Sequence, residues 1–536
     1  MKIQNALLFM TLFVIIISIS SVSAHDNTNS SLNEPELDVL HVDKVNSKLE
    51  SVADSTILKE DSNDLEEKIL NSNNGDVILI EPGTYKIHNI KITKNITLQG
   101  NGNPRDIIID GEKKSSIFLI RSPDVHFTVK NITFINGLTH NFGGVISIET
   151  GNAYVDNCIF INNTALSNTN AGAISNYGTK KNRAYLLVNN SLFVNNHADH
   201  DGGAITTCYA DSEIYNCVFI NNSAVRDGGA IRVSIYGYGN VQDCIFMFNH
   251  ADEWGGAYYS WSGESNIERC IFLNNTAGTN GGAVMVSGKI NVEKSIIANN
   301  DGGETGGSFY IQQPMYDTKT VISVHDNLIT NNTSPYGKEI FIKWWDSYNL
   351  YTQFDNNDWG DENPNDPSVI DPNNVTARSK VSSTIKSNLF ADLNVDSLIK
   401  YSDLIGNYFP DDSLYNLKQQ FDDAKKASQN NNQNSNDKKT SDEKNNQNKI
   451  TSNNTNNDLN VASDTNSSQI LNVNSLEQIL IGNSTSVGEN NKNAYEINKT
   501  NSAAKEINID IKYIIAGAAI IFILLAIGYR RHQKEE

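Results

Sequence analysis

A short pattern of apolar and polar residues recurs along the middle of the chain. Relative to Cys217, a β-branched residue lies three positions earlier, phenylalanine two positions later and asparagine five positions later. Glycine replaces the asparagine in the first copy, and isoleucine replaces the phenylalanine in the last two. β-Branched and aromatic residues in short alternating runs predict strands. The anchor positions equivalent to Cys217 are Ile132, Cys158, Ser191, Cys244, Cys270, Ser295 and Asn327.

The spacing of these anchors, mostly about 26 residues, predicts that each copy is one coil of a parallel β-helix. The β-branched, anchor and phenylalanine positions would then form columns inside the solenoid. The asparagine would lie where a strand turns, because it tolerates left-handed backbone and bonds locally or to the next coil. Glycine pairs permit a sharp bend later in the coil. They are Gly143-Gly144, Gly202-Gly203, Gly228-Gly229, Gly255-Gly256, Gly281-Gly282 and Gly306-Gly307.

Shifts in composition divide the chain into segments around this repeat. An amphipathic stretch from Asp64 to Leu70 predicts a short helix that caps the first coil. The predicted segments are a signal peptide (1–24), an acidic polar N-terminal segment (25–61), the parallel β-helix (62–372), an irregular or helical segment (373–425), an Asn/Ser-rich disordered stalk (426–510), a transmembrane helix (511–530) and a cytoplasmic tail (531–536).

Both ends of the chain carry apolar runs that predict export and anchoring. Residues 1–24 combine one lysine, an apolar run and a small-residue end, which is typical of a cleaved signal. The run from Tyr513 to Tyr529 is long enough to span a bilayer, and basic residues follow it. The alternative for either run is a buried core helix. We therefore expect a single-pass protein of the cell membrane with most of its chain outside the cell.

Two known protein families contain repeats with similar sequence motifs. The pairing of Phe193-Val194-Asn195-Asn196 with Gly202-Gly203-Ala204-Ile205 resembles the repeats of chlamydial polymorphic outer-membrane proteins. The chain is even more similar to adhesin-like surface proteins of methanogenic archaea, which share its opening at 75–85 and the N-x-WG segment at 357–360. The resemblance covers about Asp64 to Asp371. It implies a right-handed, single-stranded parallel β-helix of the pectin-lyase type and display at a cell surface.

The chain departs from these families at several positions. Chlamydial members end in an outer-membrane β-barrel, whereas this sequence ends in one apolar run. The glycine pair is altered to Ala171-Gly172 and to Tyr336-Gly337, and Phe248 replaces an asparagine.

Four of the five cysteines share the anchor column: Cys158, Cys217, Cys244 and Cys270. Stacked coils would hold their Cβ atoms about 4.8 Å apart, which is beyond the usual reach of a disulfide. We expect a reduced, buried ladder, with disulfides as the alternative that export would allow. Cys208 has no partner in the column and is expected to be a free thiol.

No catalytic residues are predicted. Parallel β-helices include polysaccharide lyases and hydrolases, but fold alone does not assign an activity, and the polygalacturonase-type Asn-Thr-Asp, Gly-His-Gly and Arg-Ile-Lys motifs are absent from the sequence. An acidic cluster precedes the glycine pairs, and stacking would bring it into a short column that suits calcium. The alternative is a solvated turn. Its members are Asp199, Asp201, Asp227, Asp252 and Glu253.

A second candidate surface follows from strand alternation. If Ile231 and Val233 point inward, Arg232 points outward, and its row continues through the next coils. Exposed aromatic residues and methionine there would form a docking patch for a sugar ring or a partner protein. The alternative is scattered aromatics on a β surface or under a loop. The predicted patch is Arg232, Tyr259, Trp261, Met285 and Tyr310.

These patterns favour a cell-surface adhesin-like protein that binds glycans, host cells or neighbouring cells and has no enzymatic activity. The formal net charge of −20 disfavours nucleic acid as a partner, because that would need a basic patch. Surface glycans or cell-surface proteins are the expected partners, and calcium is the only cofactor considered. The alternatives are a membrane-anchored polysaccharide lyase or hydrolase on the same fold, and a purely structural envelope component.

Overall fold

The computed structural model describes residues 56–58, 62–312, 320–343, 350–366, 368–370, 389, 393–409, 418–419, 422–423 and 426. The predicted signal peptide, transmembrane helix and cytoplasmic tail lie outside these residues, as does the predicted stalk beyond residue 426. Every helix within the described ranges is too short or too polar to traverse a lipid bilayer.

The N-terminal coils follow a helix that covers their open end. Leu65 and Ile69 of this helix are one turn apart and pack into the core of the first coil, so the predicted capping helix is confirmed. The elements are β1 (Thr56–Leu58), α1 (Ser62–Asn71), β2 (Val77–Ile80), β3 (Gly83–Lys86), β4 (Ile90–Ile92), β5 (Ile96–Gly100), a 3-10 turn (Pro104–Asp106), β6 (Ile107–Asp110), β7 (Phe118–Lys130) and β8 (Thr133–Ile135).

The middle coils repeat a fixed order of strands. Each has a three-residue strand after the anchor, in most coils a two-residue strand after the asparagine pair, and longer strands after the glycine pair. They are β9 (Leu138–Thr139), β10 (Ile146–Asp156), β11 (Ile159–Ile161), β12 (Thr164–Ala165), β13 (Ile174–Tyr177), β14 (Ala184–Asn189), β15 (Leu192–Val194), β16 (His197–Ala198), β17 (Ile205–Cys208), β18 (Ala210–Tyr215), β19 (Val218–Ile220), β20 (Ser223–Ala224), β21 (Ile231–Ser234), β22 (Tyr238–Gln242), β23 (Ile245–Met247), β24 (His250–Ala251), β25 (Tyr258–Glu268), β26 (Ile271–Leu273), β27 (Thr276–Ala277), β28 (Val284–Glu293) and β29 (Ile296–Ala298).

The last coils are followed by short helices in the segment that the sequence predicted to be irregular or helical. The elements are β30 (Phe309–Gln312), β31 (Thr320–His325), β32 (Leu328–Thr330), β33 (Ile340–Lys343), β34 (Leu350–Gln353), α2 (Asp396–Lys400), α3 (Ser402–Ile405) and a 3-10 turn (Gly406–Tyr408).

All strand pairs in the described chain are parallel, and they form three sheets that we call the long sheet, the ten-strand sheet and the six-strand sheet. Equivalent residues of neighbouring coils lie opposite one another: Phe193 pairs with Phe219, and Phe219 pairs with Phe246. The prediction of an all-β parallel solenoid of about ten coils is therefore confirmed. The predicted columns follow from this pairing.

The phenylalanine column forms a continuous stack in the interior. From Phe160 to Phe272 the ring centroids of successive coils are 4.6–4.8 Å apart and the rings are within 7° of parallel. All five rings are completely buried, and each contributes about 2 kcal/mol through burial. The stack fixes the register because a slipped coil would leave a ring without a partner.

The two asparagines of each coil have different roles. The first, such as Asn195 with φ 55°, takes the left-handed conformation that turns the strand. The second, such as Asn196, is fully buried and bonds along the solenoid axis. Its Nδ2 donates to the Phe160 carbonyl of the preceding coil (3.1 Å) and to Oδ1 of Asn222 in the following coil (2.9 Å). The two functions that the sequence assigned to one position are thus divided between neighbours.

This amide ladder ends at a carboxylate. In the last rung, Asn332 donates from its backbone nitrogen to Glu339 Oε1 (3.3 Å) and from Nδ2 to Oε2 (2.7 Å). Glu339 is completely buried, and this burial raises its pKa to about 8, even though the bonds from Asn332 oppose the shift. Glu339 therefore occupies the place that the next asparagine would fill.

The cysteine ladder is present without disulfides. All five cysteines are free and buried, and the backbone nitrogen of Cys217 lies 3.4 Å from Sγ of Cys244 in the next coil. Burial raises the pKa of the Cys158 thiol to about 12, which disfavours the reactive thiolate. Cys208 lies outside this column, beside Ser234, and is also buried. The four anchor cysteines thus stack in one buried column, as the repeat predicts, and their reduced state stays a prediction.

Residues 393–409 form a strap that lies on the outside of the ten-strand sheet. The outward residues of that sheet are apolar, and Val218 and Ile245 are buried in one cluster with Leu398, Tyr401 and Ile405 of the strap. A solvent-facing sheet would normally alternate apolar and polar residues. This segment is therefore a cover for the solenoid and not a separate domain.

Polar contacts fix the position of the strap. The Arg105 guanidinium forms an ion pair with Asp403 at 2.6 Å, and the Tyr401 hydroxyl donates to the Asn190 carbonyl at 2.6 Å. The anchoring residues belong to coils that are far from the strap in sequence, so the contacts define its path along the sheet.

Phe248 shows why one asparagine was replaced. It takes the left-handed φ of 58° typical of that position, and its neighbours Phe246 and Met247 keep the register of the sheet. The Phe248 ring lies 6.3 Å from that of Tyr408 and 6.1 Å from that of Phe409. The aromatic side chain thus binds the strap where an asparagine would contribute no apolar surface.

We expect Asn275→Ala to lower the free energy of unfolding by about 3 kcal/mol, because it leaves buried donors and acceptors of the adjacent coils unsatisfied. Asn274→Gly is the matched control, since Asn274 only supplies the turn with φ 54° and glycine adopts that conformation freely. Urea denaturation of both variants measures the difference. Equal losses would contradict the separation of roles.

We expect Glu339→Gln to reduce the dependence of stability on pH. Because burial raises the pKa of Glu339 from 4.5 to about 8, the stabilisation from its neutral form is complete below about pH 4.5 and is lost as pH rises through about 8. The Tm of the variant relative to wild type should therefore rise between about pH 4.5 and 8 and level off above that range. A constant difference, or the same trend in the exposed-site variant Glu304→Gln, would contradict this role.

Candidate functional site

The predicted docking row is aligned as expected but is not exposed. Arg232, Tyr259, Met285 and Tyr310 pair in sequence across successive strands of the long sheet. Tyr259 is 2% exposed, Met285 is fully buried and Tyr310 is 3% exposed, and Arg232 is buried as well. Only Trp261 remains half-buried. The predicted exposure of the row is therefore wrong.

The glycine corners explain this burial. The residue before most of the glycine pairs bridges to its equivalent in the next coil, as Asp227 does to Trp254, and this column lies beside the outward row. The Trp254 ring stacks 6.3 Å from Tyr259. At Gly228, with φ 68°, an added Cβ would lie 3.1 Å from the Tyr259 Cβ. The glycine pair thus folds the corner back over the row, creating a second small core.

In the Arg232 coil, this second core is charged. Arg232 Nε lies 3.0 Å from Asp201 Oδ2, and both Asp201 and Asp227 are buried. Burial, together with the negative charge of Asp201, raises the pKa of Asp227 to about 7. Arg226 lies above them, 3.5 Å from Asp227 at its Nη2. The arrangement is a buried charge cluster with one fully enclosed cation.

His200 connects this cluster to the surface. Its Nδ1 lies 2.8 Å from Asp201 Oδ2 and 2.9 Å from Asn170 Oδ1, which are both acceptors. Its Nε2 faces the guanidinium of Arg226, which can only donate. We therefore assign the hydrogen to Nδ1, with the imidazole neutral. The acceptor nitrogen Nε2 is thereby directed at Arg226, whose side chain is 40% exposed.

The five candidate calcium ligands do not converge. Asp201 and Asp227 are adjacent in the buried column, but Asp199 and Asp252 belong to a different column, two coils apart with Val225 between them. Asp199 pairs with His197 at 3.3 Å and Asp252 with His250 at 3.0 Å, while Glu253 lies 3.9 Å from Arg226. In the part of the chain that the structure describes, no group of His, Cys, Asp or Glu is arranged to hold a metal ion. The single acidic column expected from the sequence is incorrect.

The sequence interpretation missed a surface on the other half of the long sheet. We define the tyrosine face as the outward side chains of six residues, four tyrosines, one glutamate and one asparagine, all half-buried. They stand two, four or six residues before an anchor, on the opposite side from the buried β-branched column, and this offset is the signal that could have identified them. The tyrosine face consists of Tyr154, Tyr185, Glu213, Tyr215, Tyr238 and Asn240.

A chain of hydrogen bonds runs across this face, and each is donated in the direction of Glu213. Asn266 donates to Asn240 (3.0 Å), Asn240 donates to the Tyr215 hydroxyl (2.9 Å), and Tyr215 donates to Glu213 Oε2 (2.6 Å). Partial burial and the Glu213 charge both raise the pKa of Tyr215 and of Tyr185. The hydroxyl groups are therefore held neutral around one carboxylate, which is the final acceptor.

A family model matches two parts of the solenoid. Residues 216–234 and 269–287 match the Chlamydia polymorphic membrane protein repeat. Each match starts beside an anchor cysteine and runs through the glycine corner into the long sheet. The solenoid is thus built in part from repeats of this type.

Known proteins are also similar to parts of the chain. It is 33% identical over 86 residues to SHC SH2 domain-binding protein 1 homolog B of Xenopus laevis, which is 16% of this chain and 12% of that protein. Among solved structures, a mutant of the PL6-family alginate lyase AlyGC has a TM-score of 0.33 and 11% identity, over 61% of this chain and 54% of the other. The PL6-family polysaccharide lyase Pedsa3628 from Pseudopedobacter saltans has a TM-score of 0.30 and 14% identity, over 62% and 89%.

We expect Arg232→Met to lower the free energy of unfolding by about 3–5 kcal/mol, because it removes the cation that compensates the buried Asp201. Arg226→Met is the control: its side chain is 40% exposed, so its loss should cost less than about 1 kcal/mol. Urea denaturation at pH 7 compares the two. Similar losses would contradict the assignment of Arg232 as the enclosed cation.

Proposed function

We propose that the chain is a cell-surface, adhesin-like protein that presents its solenoid for binding to glycans, host cells or neighbouring cells. The observation that carries this proposal is the match of two coils to the Chlamydia polymorphic membrane protein repeat. That family is named for membrane proteins, which suits a surface location. The fold supplies a long, regular scaffold for such a role.

The physical construction of the solenoid suits presentation of a binding surface. Ten strands stacked about 4.8 Å apart give a length of about 50 Å. The amide and phenylalanine ladders connect each coil to the next, so the outer faces keep a fixed relative position. A preorganised surface loses little conformational entropy when a partner binds.

The proposal includes export and a single membrane anchor. The apolar runs at 1–24 and 511–530 would supply the signal and the anchor, with the polar stretch 426–510 as a tether. These segments lie outside the described residues, except for residue 426. The solenoid would then be held outside the cell.

The test asks whether the protein retains cells or glycans without degrading polyuronates. We expect the purified full-length chain, immobilised on beads, to retain cells or cell-envelope glycans and to release no unsaturated or reducing ends from polyuronates. Release of such products from polyuronates by the wild type would instead indicate a lyase or hydrolase. If the beads retain no cells, host or neighbouring, and no glycans, the adhesin proposal is wrong and a structural envelope role replaces it.

A further inference from the structure

We infer that the tyrosine face is a binding site for an uncharged glycan. The inference rests on the proposed function and deepens it, since it names the surface and the chemical class of ligand. It differs from the docking row predicted from the sequence, which is buried under the glycine corners.

The ring positions on this face suit flat, amphipathic ligands. Tyr185 and Tyr238 both pair with Asp211, so they occupy one column two coils apart. The Tyr154 ring lies 5.9 Å from that of Tyr185. Half-buried tyrosines offer an apolar ring flank and a polar edge at low entropic cost. Sugar rings present the same combination of apolar faces and hydroxyl groups.

A pair of tyrosines extends the face at its edge. Tyr209 and Tyr236 stand in the bends between the two halves of the long sheet, with rings 5.4 Å apart and φ values of 49° and 55°. Left-handed backbone is unusual for bulky side chains. Tyr236 is 61% exposed, so an aromatic ring projects beside Tyr238 and raises the rim of the surface.

The charges on this face select against anionic ligands. Two cations of this face are each paired with a carboxylate: Arg183 with Asp211, and Lys289 with Glu264 at 3.7 Å. Glu213 accepts the Tyr215 hydroxyl bond, and no lysine or arginine among the described residues forms an ion pair with it. A polyuronate would therefore meet the unpaired carboxylate of Glu213 at the centre of the face.

The polar character of the face favours a glycan over a protein partner. The centres of protein interfaces are depleted of charged groups and enriched in apolar anchors. Here the centre is Glu213 with the amides of Asn240 and Asn266, already oriented by hydrogen bonds. Hydroxyl groups of a sugar both donate and accept, so they can bond to an ordered carboxylate and to amides.

The experiment measures binding of the full-length chain to a soluble neutral β-glucan, a soluble mannan and polygalacturonate by affinity electrophoresis. We expect at least one neutral polymer to bind, polygalacturonate not to bind, and the neutral affinity to be insensitive to salt. Tyr238→Ala should weaken neutral binding about fivefold, and Tyr185→Ala with Tyr238→Ala about thirtyfold, from about 1 kcal/mol per ring.

Two controls keep the result interpretable. Tyr336→Ala removes a 67% exposed tyrosine on a distant coil and should leave binding unchanged. Tyr238→Ala alone should leave the fold intact, because the Tyr238 hydroxyl forms no hydrogen bond with another described residue. The single variant therefore tests the inference even if the double variant does not fold. Circular dichroism and Tm confirm folding of each variant.

Several results would overturn the inference. Neutral binding that survives Tyr238→Ala and the folded double variant would place the site elsewhere. Preference for polygalacturonate would contradict the charge argument. Variants that lose binding to a protein partner but keep their binding to the neutral polymers would indicate a protein interface. Failure to bind either neutral polymer would reject this inference, whereas retention of cells in the preceding experiment would leave the adhesin proposal standing.

Discussion

The structure depends on hydrogen bonds between buried amides that run along the solenoid axis. An amide enclosed in an apolar interior costs several kcal/mol unless its donors and acceptor are all satisfied. For each ladder asparagine, the partners come from the coils on either side, as the bonds of Asn196 to Phe160 and Asn222 show. No coil can therefore shift without leaving polar atoms unpaired. The phenylalanine stack, the left-handed turns and the glycine corners all keep this single alignment.

The burial of outward residues by other parts of the chain determines which surfaces remain available for binding. Outward residues of a sheet usually face water, but two of the three outer faces are partly covered by the chain itself. The glycine corners cover the row around Tyr259, and the strap covers the apolar rows around Ile245. The uncovered half of the long sheet is polar, flat and ordered by hydrogen bonds from Asn266 to Glu213. Burial thus restricts the candidate surface more strongly than aromatic content does.

The sequence was sufficient for most of the fold, because a repeat of fixed period reports directly which residues stack. The phenylalanine, cysteine and second-asparagine columns could all be predicted in this way. Alternation along a strand, however, predicts only which side of that strand a residue faces. It does not indicate what covers the outer side, so the burial of Tyr259 was not predictable. Asp199 and Asp201 are two residues apart, yet they enter different columns because the backbone turns between them. The strap escaped prediction because its few apolar residues lack a period, and the residues that bond or stack with it, such as Asn195 and Phe248, lie at least 160 residues earlier in the chain.

The docking of the strap also has a mechanical consequence. Its last described turn, Gly406–Tyr408, contacts Asn195 and Phe248, which belong to coils in the middle of the solenoid. Tyr408 and Phe409 therefore attach the strap to the flank of the solenoid and not to either of its ends. Force applied to the strap at Phe409 would act sideways on the solenoid, and it would first have to break the aromatic contacts of Tyr408 and Phe409 with Phe248.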